Sequence, residues 1–368
     1  MFSENDKISI RQLQALLILD LFGTGVVTLP RQTVNVAGND AYIAVLLGSI
    51  IMAIFTLVFT TLGQRHTNKT VVEISQILLS RPIGLLLSLG LAIKIMIGAG
   101  LELRIFCEMI GQSMLFRTPI FVTALAMLLI CGYVSAIGYE CRARTGEILF
   151  IFVFVPFLIL MLLAVFTADY SNLRPILSHS NSDIAKGAWY TILSFQGLEF
   201  LFLVFPYLQR PKKAKKGMLE AGFIIAFFMT LITLLTIAVF GQYSVVNKLF
   251  PVLQMMDSLQ LPGSFLDRQD IFMLWFWVVS IFASVSAALF FVTILFERMQ
   301  QNKNKKIPAR KWMFFVMVIV FLVTVLPQDV ASTNEYMEIL KKYGGTFYIL
   351  VLPVLLLIID NIKRGKQI

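Results

Sequence analysis

The feature that most constrains this chain is a succession of predominantly apolar runs, each near the length that crosses a bilayer, separated by short polar breaks. They fall at residues 13–36, 41–62, 83–116, 120–138, 148–167, 187–208, 219–241, 271–296, 312–326 and 347–362. A helix needs about 20 apolar residues to span the hydrocarbon core. Within hydrocarbon every backbone polar group must be satisfied internally, so runs of this length read as helices. The expectation is an all-α integral membrane protein of about ten transmembrane helices, a single membrane domain over 1–368. Composition leaves no sizeable soluble domain: 58% of residues are hydrophobic and 14% charged, against about 25% charged in soluble proteins. Residues 1–9 are polar and lead into the first run without a small-residue cleavage site, which reads as a retained first helix.

The net charge of +10 comes from Lys and Arg clustered between runs: Arg65, Lys69 and Arg81, then Arg142 and Arg144, then 210–216, 298–311 and 363–366. With the first helix running outward, all fall on one side, the positive-inside pattern, so both termini are expected in the cytoplasm. Topology and contact with anionic lipid account for these clusters, and no nucleic-acid partner is implied. Cys107, Cys131 and Cys141 have no metal-ligand spacing, and His66 and His179 lie far apart, so neither a disulfide framework, a metal site nor a cofactor is indicated. The third run, about 34 residues and roughly 50 Å as a helix, must tilt or project beyond the bilayer. The segments 169–186 and 242–270 are long enough for short helices, 249–261 above all.

Two runs contain breaks. The first carries Gly23-Thr24-Gly25-Val26-Val27-Thr28-Leu29-Pro30, and the sixth carries Ser194-Phe195-Gln196-Gly197-Leu198-Glu199 followed by Pro206. Either alone is compatible with close helix packing. The pair, five helices apart, points to two inverted five-helix repeats, 13–167 and 187–362, with a binding centre between them. Half-helix N-termini suit an anionic group and freed carbonyls suit an ammonium or cation, which matches the two ends of an amino acid.

The third run carries Lys94, Glu102, Arg104 and Glu108. An ion at the bilayer centre costs about 3 kcal/mol on insertion scales, so each needs a partner or a function. Arg104 and Glu108, one turn apart, read as a structural ion pair. Lys94 has no acid three or four residues away, so its counter-charge comes from another helix, Glu199 first, or from a ligand; snorkelling is the alternative. Glu102 and Glu199 are candidates for ion or proton coupling. Ser280 and Ser284, one turn apart on the eighth run, serve either as interhelical hydrogen-bond partners or as ligand contacts. Trp275, Phe276 and Trp277 read as an interfacial belt. No nucleophile–base set is present, so an enzyme is not expected.

At these motifs the chain resembles the B subunit family of endospore germinant receptors, within the amino acid/polyamine/organocation transporter superfamily. The matching blocks are Gly23 to Pro30 with Arg31, Arg117-Thr118-Pro119, Asn172-Leu173-Arg174-Pro175, Ser194 to Pro206 around Gly197 and Glu199, and Asp267-Arg268. The resemblance implies two inverted repeats of LeuT type, a small nutrient germinant such as an amino acid as ligand, and A and C subunits as partners in the spore inner membrane. Carried over, the ligand-binding positions are Gly23, Thr24, Gly25, Lys94, Phe195, Gln196, Gly197, Ser280 and Ser284. The chain departs from the better-known members in Lys94, where an aromatic is usual, in Gln196, where an apolar residue is usual, and in Tyr207, where an acid is common. Those departures make a more polar or acidic germinant worth testing. An active amino acid or cation transporter is the alternative, because a sensor descended from a transporter keeps the same pocket.

Overall fold

The computed structural model describes residues 6–21, 24–113, 115–258, 270–300 and 307–365. The helices are α1 (Ile10–Leu21), α2 (Thr24–Ala37), α3 (Ala41–Arg65), α4 (Val71–Leu78), α5 (Arg81–Ser113), α6 (Ile120–Ile137), α7 (Tyr139–Thr167) and α8 (Asn181–Ser194). They continue as α9 (Leu201–Val204), α10 (Ala214–Phe240), α11 (Gln242–Asn247), α12 (Pro251–Ser258), α13 (Asp270–Met299), α14 (Ala309–Val325), α15 (Val330–Ile339), a π-helix over Leu340–Val351 and α16 (Leu352–Gly365). The protein is all-α and integral to the membrane.

Among the described residues, seven helical segments are long and apolar enough to cross a bilayer, and eight if the bent pair Asn181–Ser194 and Leu198–Tyr207 counts as one. The sequence reading of about ten is not reached on this count. α1, at 12 residues, and α14, at 17, are short, and the stretch from Gly25 to Arg65 counts as one continuous helical segment. The final helical stretch also begins earlier than the apolar run at 347–362 implied, because it extends from Val330 to Gly365. Its first half is polar and borders two cavities, so run length alone does not detect it.

Chain ends and interrupted helices are tied at one end of the bundle. Ile8 N–H donates to Tyr207 O at 2.7 Å and Gln209 N–H donates to Ile8 O at 3.0 Å. At the same end Arg65 donates to Asp360 at 2.8 Å. α1 is buried along most of its length, the state expected of an apolar helix enclosed by others. Around it α3 packs on α10 and α8, and α13 packs on α5, α6 and α14.

Small residues set the α3–α8 spacing. A Cβ at Gly48 would lie 2.6 Å from Ala188 O, and one at Gly187 would lie 2.8 Å from Ala44 Cβ. In lipid, where apolar side chains gain little from meeting one another, such close approach is what holds helices together. Gly48→Leu is therefore expected to force α3 from α8 and lower stability by about 1–3 kcal/mol. Thermal unfolding in detergent checks this; an unchanged midpoint would mean that the interface relaxes freely.

The aromatic group on α13 departs from the sequence reading. Trp275 is exposed, but Phe276 and Trp277 are buried, stacked or edge-on against Phe157 and Phe250. They are core residues rather than an interfacial belt, because the helix face they occupy turns towards α7 and α12.

Candidate functional site

α1 ends at Leu21 and α2 begins at Thr24; Phe22 and Gly23, where the sequence reading places the first interruption, lie outside the described residues. Gly25 packs against α8 so closely that a Cβ would stand 3.0 Å from Ser194 O. At the second, α8 ends at Ser194 and the chain bends by 47° before continuing to Tyr207. Gly197 makes the turn at φ +106°, a left-handed conformation that side-chain-bearing residues adopt only with strain. The backbone exposed there is met by nearby side chains. Gln196 Nε2 donates to Leu193 O at 2.8 Å, and Gly197 N–H donates to Glu199 Oε2 at 3.0 Å. Hydrocarbon offers no partner for such groups, so the polar residues at the break have a direct structural use.

The other Glu199 oxygen accepts from Lys94 Nζ on α5, and both side chains are buried. Glu102, two turns further along α5, accepts from Ser284 Oγ on α13 at 2.5 Å. These residues line a cavity of about 30 Å³ together with Gly98, Gln196 and Phe200. That is room for about one water. In this conformation the cavity beside the second interruption, which Gly25 does not border, is too small for an amino acid. Its closure owes much to the π-helix: a Cβ at Gly344 would be 3.1 Å from Lys94 Cγ, and one at Gly345 would be 2.7 Å from Gln196 Nε2.

Of the other residues singled out in the sequence, Phe195 and Ser280 are buried but do not border this cavity. The Ser280 hydroxyl has no hydrogen-bond partner among the described residues. Arg104 and Glu108 form an ion pair at 2.7 Å, with Arg104 also donating to Gln328 O at 3.1 Å. That pair stands at the far end of α5, away from the termini, where Glu108 borders an 820 Å³ cavity with Thr28, Arg31, Asp329 and Glu335. The Ser332 backbone N–H and hydroxyl hold the Asp329 carboxyl below its usual range, and the lining carries Glu108, Asp329, Glu335 and Glu338 against Arg31.

Three residues of the interior escape a reading by loops and runs. Arg142, assigned to a cytoplasmic charge cluster, is 2% exposed. It donates to Asp20 Oδ1 at 2.5 Å and to Ala283 O at 3.0 Å, with Ser286 Oγ at 3.3 Å. The sequence carried a signal for this, an acid at position 20 inside the first apolar run, because an intramembrane carboxylate demands a partner. Lys341, near the start of the π-helix, is 7% exposed and within electrostatic reach of Glu102 and Lys94. Among the described residues of this region Lys94 pairs with Glu199 and Arg142 with Asp20, while Lys341 lies within electrostatic reach of Glu102.

The comparisons with known proteins agree with one another. The family described as "Spore germination protein" matches the chain over residues 7–333. Spore germination protein YndE of Bacillus subtilis (strain 168) is 26% identical over 374 residues, covering 100% of both chains. GerQB of Bacillus cereus is 27% identical, covering 93% of each, and spore germination protein B2 of Bacillus subtilis (strain 168) is 24% identical over 94% of this chain and 92% of its own. Among solved structures, a substrate-bound, outward-open Na⁺-coupled sialic acid symporter shares the fold with a TM-score of 0.65. It is 12% identical, covering 95% of this chain and 80% of that one.

Proposed function

Because this chain belongs to the spore germination protein family, we propose that it is the membrane subunit of a spore germinant receptor. In this reading a small nutrient, an amino acid first among candidates, binds between the two interrupted helices. The observation that carries it is the Lys94–Glu199 pair joining α5 to the second interruption. A zwitterion entering there offers a carboxylate to Lys94 and an ammonium to Glu199 or Glu102, so no net charge is added to the interior. A bare anion or cation would leave a buried charge uncompensated, which is costly. Gln196, Gly197 and Ser284 complete the pocket from the second interruption and α13, and Gly25 with Thr24 from the first.

The closed cavity, about 30 Å³, supports a mechanism in which ligand and resident ion pair compete for the same space. Binding parts α5 and the π-helix from the interruption. The ligand drives this change only by its difference in affinity between the closed and opened states. Partner A and C subunits in the spore inner membrane read the change, with both termini of this chain on the cytoplasmic side. The same reading takes ten spans in two inverted five-helix repeats, 13–167 and 187–362, supported by interruptions five helices apart.

The test is thermal unfolding of the purified protein against a panel of L-amino acids, sugars and nucleosides, with Lys94→Ala alongside. A ligand at a hundred times its dissociation constant adds about 2.7 kcal/mol of stability. The expected result is stabilisation by an amino acid in the parent and not in Lys94→Ala. Equal stabilisation of both would remove Lys94 from the site. The shared fold with a Na⁺-coupled symporter supports a second reading, active transport. Concentrative uptake into liposomes by this chain alone would favour that reading, and binding without flux would favour the receptor.

A further inference from the structure

The two buried lysines of the interior differ in one respect. Lys94 has a resident carboxylate in Glu199. Lys341, although 7% exposed, makes no hydrogen bond or ion pair among the described residues and borders a cavity of 760 Å³. Its Nζ is not one of the fully enclosed side-chain atoms that lack a partner, so its three donors remain reachable by an acceptor that enters the cavity. Glu102 and Glu338 offset part of its charge from a distance but accept no hydrogen bond from it. The cavity lies between α2, α8 and the α15–π-helix stretch and is lined on its apolar side by Leu193, Trp189, Tyr190 and Tyr343. Its charged lining is three lysines, Lys186, Lys341 and Lys342, against two glutamates, Glu335 and Glu338. Lys186 is already paired with Asp183 at 3.0 Å, and Lys342 lies against the Tyr343 ring. Lys341 is thus the buried lysine of the three, with no hydrogen-bond partner among the described residues.

We propose that this cavity is a second binding site, separate from the small cavity beside the second interruption, which takes an anionic oxygen group carried on an apolar body, with Lys341 as its recognition residue. The anion supplies the missing acceptors, and a charge-assisted hydrogen bond at a buried ammonium is among the stronger polar contacts available. The aromatic wall takes the apolar body, the combination typical of small-molecule sites. Two sources carry such chemistry: a free carboxylate, or the phosphate of an anionic lipid approaching through the exposed rings of Trp189 and Tyr343.

The test uses the full chain in phosphatidylcholine nanodiscs and three soluble probes on one body: 3-phenylpropionate, phenethylamine and 3-phenylpropanol. The carboxylate is expected to raise the unfolding temperature, and the amine and alcohol are not. Lys341→Met should weaken the response about tenfold or more, Lys341→Arg should retain it, and Lys94→Met should leave it unchanged. Loss in Lys94→Met with retention in Lys341→Met would assign the effect to the central cavity and overturn the proposal. A second measurement needs no change at Lys341: 3-(4-bromophenyl)propionate should quench the emission contributed by Trp189, identified with Trp189→Phe, while 4-bromophenethylamine should not. With phosphatidylglycerol replacing phosphatidylcholine, stabilisation that depends on Lys341 and blocks 3-phenylpropionate would identify the lipid headgroup as occupant and uphold the site. No anion-dependent shift with either source, or an equal shift in Lys341→Met, overturns it.

Discussion

Arg142→Met is expected to lower stability by about 3–5 kcal/mol, because it leaves the Asp20 carboxylate buried without its counter-ion. The guanidinium ties three elements: Asp20 on α1, the Ala283 carbonyl and the Ser286 hydroxyl on α13, and α7, its own helix. A planar fork with five donors suits this geometry, and a lysine would not reach all three acceptors. The control is Asp20→Asn combined with Arg142→Met, which removes both charges. If the loss arises from the stranded acid, the double variant recovers most of it, since exchanging a buried pair for neutral groups is often close to neutral in stability. Thermal unfolding of the four proteins gives the coupling energy. A double variant as unstable as Arg142→Met would trace the loss to the bonds with α13 instead.

Glu199→Ala carries a comparable expectation, about 3–5 kcal/mol, by a different route. It strands Lys94, and it also removes the acceptor of the Gly197 N–H at the bend. The two contributions separate by substitution. Glu199→Gln keeps an acceptor for the Gly197 N–H but no charge for Lys94, whereas Glu199→Ala with Lys94→Met removes the charge imbalance but leaves the N–H bare. The first should lose most of the stability and the second should regain most of it. If Glu199→Gln instead behaves like the parent, the bend depends on the hydrogen bond alone, and the ion pair is free to open for a ligand at little cost.

These expectations rest on residues that differ in how they could be read from sequence. Gly197 and the residues about it were visible as a break, because glycine and proline interrupt a long apolar run whatever surrounds them. The closeness of Lys94 to Glu199 could be anticipated only as one option, since no residue on α5 at helical spacing could neutralise the lysine. Arg142 was misread because it sits near the start of its helix beside Arg144, and a short basic cluster between apolar runs looks like a loop. Only the contact with Asp20 distinguishes it: Arg142 is 2% exposed, whereas Arg144 pairs with Glu140 on the surface. Lys341 was missed because the helix bearing it, polar from Val330 onward, has no apolar run to announce it.

By itself the sequence determined the membrane environment, the helical class and the interruption at Gly197. Each depends on run length and local chemistry: hydrocarbon admits only internally bonded backbone, and glycine and proline break the pattern in place. The tertiary structure alone decided which ions meet, that the central space is closed to about 30 Å³, and that Lys341 is buried beside a cavity. Those depend on how helices distant in sequence approach one another, and an ion's energy in a low-dielectric interior is set by the few ångströms to its partner rather than by its neighbours along the chain.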